Sequence, residues 1–200
     1  MINKGAALLM FTFSLMAVAC NVERNEADNE GKQYVDIEGL VMSQVSYFSD
    51  EKATLVKTAV VDGEKNTETS QPDSTGWARE LGFFRQIDMN KPAFRQAYDS
   101  TITSEEGMTR VVYDARFPVE VPVQKLAVTF SDRAAGKVHM LEAEFLEVNE
   151  LYTTFRRMEA EFDPAEKDGL PGRLNRYFLE GGHKIIFRDS ITYKIEGRIR

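Results

Sequence analysis

Two histidines, a short run of glutamates and one cysteine are the residues of this chain best equipped for chemistry. Triad-type acyl transfer needs a histidine between a nucleophile and an orienting acid, and only His139 and His183 are present. His139 stands between Val138 and Met140 in a strand-like run, and His183 follows Gly181-Gly182. In each setting a satisfied strand or turn histidine competes with a catalytic one. Glu142 and Glu144 lie close enough to His139 along the chain to help it hold a metal. The competing reading makes Glu142, Glu144 and Glu147 the solvated face of a strand. The 32 acidic residues allow many carboxylate pairs but form no glycosidase motif. The chain has no phosphate-cradling glycine loop, GxSxG elbow, HExxH helix or EF-hand loop. Asp62-Gly63 and Asp168-Gly169 belong to turns, because neither is followed by the spaced acids of a calcium loop. These residues predict a protein that is not an enzyme and that has no catalytic, cofactor-binding or metal-binding set.

The cysteine has a more specific setting. Lys4 supplies a positive start, Ala6 to Val18 run apolar, small or hydroxyl, and Ala17-Val18-Ala19-Cys20 ends the stretch. An apolar core of about 15 residues fits a secretory signal and falls short of the ~20 a spanning helix needs. A small residue before the chain's only cysteine resembles the lipobox of bacterial lipoproteins, although Ala17 stands where that family usually has a larger aliphatic residue. The resemblance implies cleavage ahead of Cys20 and a diacylglycerol on its thiol. It also implies a lipid-anchored place in the cell envelope of a Gram-negative-type bacterium. Asn21 stands where an aspartate would mark inner-membrane retention, so the outer membrane is expected. The alternative is an ordinary secretory signal with Cys20 incidental.

Residues 21–33 hold one clear aliphatic, Val22, among acids and amides, too little apolar surface to offset ordering entropy. The expected organisation is a signal peptide over 1–19, a lipidated cysteine with a flexible acidic tether over 20–33, and one globular domain over 34–200. As a random coil the tether reaches about 20 Å. Without Lys4 the chain keeps 24 basic against 32 acidic side chains, which argues against nucleic acid as a partner. Residues 173–200 are nonetheless net +4, against −12 for 21–172. Pairing of the basic last strands with acidic sheet neighbours explains this more simply than an anion site. With Cys20 lipidated no thiol is left to pair, so packing alone must hold the domain together.

Ile37, Leu40, Val41, Val45 and Phe48 form one helical stripe behind Asp36 as N-cap. The Thr- and Val-rich run 53–61, then Asp62-Gly63, then a polar arm to Thr69 predicts a hairpin with an edge strand or loop as its second arm. A second helix is expected from about Gly76, placing Trp77, Leu81, Phe84 and Ile87 on one side. Pro92 restarts it, with Phe94 and Tyr98 on a short apolar face. Beyond Thr101 strands are expected at 108–116, 122–131, 137–148, 151–162, 173–180, 183–188 and 191–199. Leu126, Val128 and Phe130 should point inward, as should Tyr152, Met158, Ala160 and Phe162.

These elements predict an α+β fold. A curved, mostly antiparallel meander of about seven to nine strands, closing as far as a half-barrel, packs with two to three helices from the N-terminal half. In element order this resembles the half-barrel carriers of lipoprotein sorting, which implies an apolar groove for a lipid-like ligand. No motif ties the chain to a specific domain family. Two functions follow as expectations: a membrane-anchored, non-catalytic carrier of an apolar small molecule, or an envelope assembly accessory that binds a protein partner and no small ligand.

Overall fold

The computed structural model describes residues 32–164 and 170–200, and residues 33–200 form one compact unit. Cys20, the signal segment and nearly all of the tether lie outside the described residues.

Helix α1 spans Ile37–Asp50, and the Asp36 carboxylate accepts from the Gly39 N–H at 2.9 Å, satisfying an N-terminal donor the helix cannot pair itself. Its stripe is buried as expected, with Gln44 buried among the apolar residues. Strands β1 (Leu55–Val61) and β2 (Glu64–Ser70) form the hairpin. Asp62 and Gly63 have φ of 49° and 89°, the left-handed pair that matches strand twist. The polar arm β2 is an edge strand. Helix α2 (Ser74–Glu80), capped by Asp73, runs into a 3₁₀ segment over Leu81–Ile87. Trp77, Leu81, Phe84 and Ile87 are all buried.

Two expectations need correction. The helix restart at Pro92 is only a three-residue 3₁₀ turn, Pro92–Phe94. Gln96 then takes φ 65°, and Tyr98 opens β3 (Tyr98–Glu105) instead of extending a helical face. The break at Gly181-Gly182 is absent too, and β8 runs unbroken over Arg173–Ile185. Those glycines are close approaches within a strand. A Cβ on Gly181 would fall 2.5 Å from the Phe155 carbonyl oxygen, and one on Gly182 would fall 2.5 Å from the Phe155 ring.

With β4 (Met108–Ala115), β5 (Val123–Asp132), β6 (Lys137–Val148), β7 (Tyr152–Asp163) and β9 (Ile191–Ile199), nine strands form one open, curved, antiparallel sheet. Its order is β2-β1-β9-β8-β7-β6-β5-β4-β3. Strands β3 to β9 are a meander, and the early hairpin joins it through β1 against β9. The fold is α+β, as the element pattern predicts.

One face carries α1, α2 and the 3₁₀ segment over Leu126, Val128, Leu141, Met158, Ala160 and Tyr177. The other is wet and laced with cross-strand pairs such as Arg110–Glu142 (2.6 Å), Arg176–Glu161 (2.5 Å) and Lys194–Glu180 (2.7 Å). Two of these use basic residues of the last strands, so neighbouring acids absorb part of that positive charge. Each pair is partly exposed and contributes at most about 1 kcal/mol.

The tie between helix and sheet is Gln44, 1% exposed. Its Nε2 donates to the Gly172 carbonyl at 2.8 Å, and its Oε1 accepts from the Leu174 N–H at 2.8 Å. A buried backbone group left unpaired costs about 1–3 kcal/mol. Gln44→Leu, which keeps most of the volume, is expected to lower unfolding free energy by about 2–3 kcal/mol in urea titration. An unchanged midpoint would mean the amide pairs are dispensable.

Candidate functional site

Strand register brings the polar side chains of the helix-packed face together at one end of the sheet. A transverse row runs Val123, Phe145, Arg156, Gly181, Tyr193, Val61. The Arg156 guanidinium lies 5.1 Å over the Phe145 ring, donates to the Tyr193 hydroxyl at 3.1 Å and also donates to Gln86 Oε1. Gly181 makes room for this, since a Cβ there would meet the Tyr193 hydroxyl at 2.7 Å. The next row outward includes Glu147, Thr154, His183 and Ile191.

Thr154 Oγ1 and His183 Nδ1 are 2.7 Å apart, and the Tyr152 ring packs beside the imidazole at 5.2 Å. That is the spacing of a hydroxyl and a base, but a triad also needs an acid on the imidazole. The nearest carboxylate in the row, Glu147, instead accepts from the Tyr152 hydroxyl at 2.6 Å. This bond raises the Tyr152 pKa above the usual tyrosine range. Among the described residues no carboxylate hydrogen-bonds His183.

The other candidates are dispersed. His139 is exposed where β5 and β6 slip register. Glu142 is paired with Arg110 on the wet face and Glu144 is exposed, while Glu147 belongs to the opposite face. The three glutamates therefore do not form one set, and among the described residues no cluster could hold a metal. Trp77 is a core anchor, fully buried with its ring 4.8 Å from Phe48. Arg156, Tyr193 and Gln86 carry no sequence signal that would single them out, because only register and tertiary packing bring them together.

A second polar cluster docks α2 to the sheet. Lys57 Nζ lies 2.8 Å from Glu80 Oε1, and the Tyr177 hydroxyl donates to the same carboxylate. Burial, reinforced by Glu80, raises the Tyr177 pKa far above its ordinary value, and burial raises Tyr98 as well. Between α1, the 3₁₀ segment and β6–β8 lies a cavity of about 10 Å³, lined by apolar side chains and Gln44. That is at the lower limit for one water. A depression of about 120 Å³ on the wet face is lined by Arg110, Lys125, Glu142, Glu144 and Arg157, charges of both signs that offset one another.

The least expected feature is apolar. Of the thirteen large hydrophobic side chains exposed among the described residues, all but Met42 and Ile102 lie at or beyond the Arg156 row. The turns between β4 and β5, β6 and β7, and β8 and β9 all open at that end. Single hydrophobic residues on a surface are ordinary, and their concentration at one end is what sets this end apart from the rest of the described surface. No family model, curated protein or solved structure matches the chain.

The buried tyrosines give a pH test. Their folded pKa values lie above the unfolded value, so their stabilisation is full below about pH 10 and lost as pH rises from there. Unfolding midpoints in urea should fall between pH 9.5 and 11. Tyr177→Phe should flatten that fall, and an equally steep fall in the variant would remove Tyr177 as its cause.

Proposed function

We propose that the chain is a membrane-anchored lipoprotein of the cell envelope whose domain works by docking, without catalysis. Cys20 would carry the lipid and the acidic tether would give the domain its reach. Among the described residues no helix is long and apolar enough to cross a membrane. The observation that carries the reading is the concentration of exposed apolar side chains at one end of the sheet. The filled face beneath the helices supports docking over carriage. Arg156 is engaged with Tyr193 and Gln86, and Glu147 with Tyr152, an arrangement in keeping with that reading.

The second reading is a carrier of an apolar ligand. In its favour, the space between α1 and β6–β8 is almost wholly apolar in lining. Carriage would require the helices to lift, breaking the Gln44 tie and the Glu80 cluster.

In a Triton X-114 partition of lysed cells, Cys20→Ala should move the protein from the detergent phase to the aqueous phase, because only the covalent lipid holds it in detergent. Wild-type fractionation by the variant would refute the anchor. Protein purified with Cys20 replaced should release no stoichiometric acyl chains into organic solvent, measured by mass spectrometry, and their release would reinstate the carrier.

A further inference from the structure

We propose that the apolar end of the sheet inserts into the surface of a bilayer of zwitterionic phospholipid, seating the domain end-on. The choice of a bilayer rests on the anchored-lipoprotein reading above.

Shape argues first. Val119, Leu151 and the Ile186-Phe187 pair stand on three separate hairpin tips, and Val119 and Phe187 have relative exposures of 100% and 103%. Separate knobs would need three matching pockets on a protein, whereas a fluid bilayer accepts each without shape complementarity. Strand β8 continues from Gly181 to Ile185 past the Arg156 row, roughly 13 Å at 3.3 Å per residue, so its tip projects well clear of the core. Phe187 holds φ 63°, a left-handed conformation unfavourable for a side chain of this bulk. The chain thus bears local strain to present an aromatic ring at the tip.

The path of the chain argues next. Tyr34, near the start of the described residues, packs edge-on against Tyr98 and Tyr113 at 5.5 Å each, and its N–H donates to Asn90. Tyr98 pairs with Ala115, which leads into the Val119 turn. The chain therefore enters the domain at the apolar end. An anchor at Cys20 would then meet the same surface as the tips without the intervening residues having to span the domain.

Charge selects the lipid. The three loops hold Arg116 and Arg188 against Glu120, Glu150 and Asp189, a net −1 that tolerates headgroups carrying both signs and gives no attraction to anionic ones. Tyr152 and Tyr193, half-buried behind the tips, stand at the depth where amphipathic rings favour a membrane interface.

Cys20 is the chain's only cysteine, so full-length Cys20→Ala accepts a single reporter. Arg188→Cys beside the tip and Ala134→Cys in a turn at the opposite end would each carry an environment-sensitive dye. Both proteins would be mixed with vesicles of bromine-labelled phosphatidylethanolamine and phosphatidylcholine. Quenching at 188 and not at 134 is expected, and adding Leu151→Ser with Phe187→Ser should reduce the 188 signal to the level at 134. Absence of quenching at 188 overturns the inference even where Cys20 is shown to anchor the wild type. A shift of the dye's emission at 188 with native envelope membranes but not with these vesicles also overturns it, because the occupant is then another envelope component. Quenching at 188 together with a wild type in the aqueous phase of the detergent partition upholds the tips and refutes the anchor.

Discussion

The amide of Gln44 is the constraint on which the rest of the domain depends. An apolar helix face laid on an apolar sheet gains burial in many nearby positions, because the hydrophobic effect has no direction. Hydrogen bonds do have direction, and this amide meets a carbonyl and an N–H at the start of β8. With both halves satisfied in a dry core, displacement of α1 along the sheet strands buried polar groups, so one position is selected. The Glu80 carboxylate does the same for α2, held by Lys57 and Tyr177 together. Gly197 serves that cluster, since a Cβ there would fall 2.1 Å from the Tyr177 ring. Directional ties thus hold both helices on a face whose remaining contacts are largely apolar.

Much of this was legible in the sequence wherever one face of an element is dry and the other wet. The α1 stripe, the Asp62-Gly63 turn and the inward set of β5 all follow from period and turn chemistry. Gln44 falls on the α1 stripe, where a polar residue is out of place until its partners 128 and 130 positions away are known. Strand β3 gave no alternation because, apart from Tyr98, it is exposed throughout as a sheet edge. Gly181-Gly182 was misleading because two glycines serve close packing as readily as a turn. The polar end row depends on parity: Arg156 and Arg157 are adjacent, and only strand register shows which of them faces inward. The apolar tips were hidden for the converse reason, since Ile185-Ile186-Phe187 reads as the content of a strand and nothing local marks it as a projection.

The surfaces of the sheet divide the work. Its wet face is a lattice of opposite charges in high dielectric, which confers solubility more than stability. Its two edge strands are Ser-, Thr- and Glu-rich and largely exposed, a composition that discourages edge-to-edge association. One end is then left to carry most of the exposed apolar groups, with Arg156 and the His183–Thr154 pair in the rows beside them.

The position of β9 has a further consequence for how the protein is made. The hairpin of β1 and β2 emerges early in synthesis, yet its partner in the sheet is β9, and Thr54 exchanges backbone hydrogen bonds with Arg200. Helix α1 likewise waits for residues near 172–174 to complete its polar tie. The first third of the domain has no finished surface to fold onto until nearly all of the chain has been synthesised. Closing contacts across so much of the chain carries a large loop-closure cost, so this part of the sheet is expected to form late and slowly.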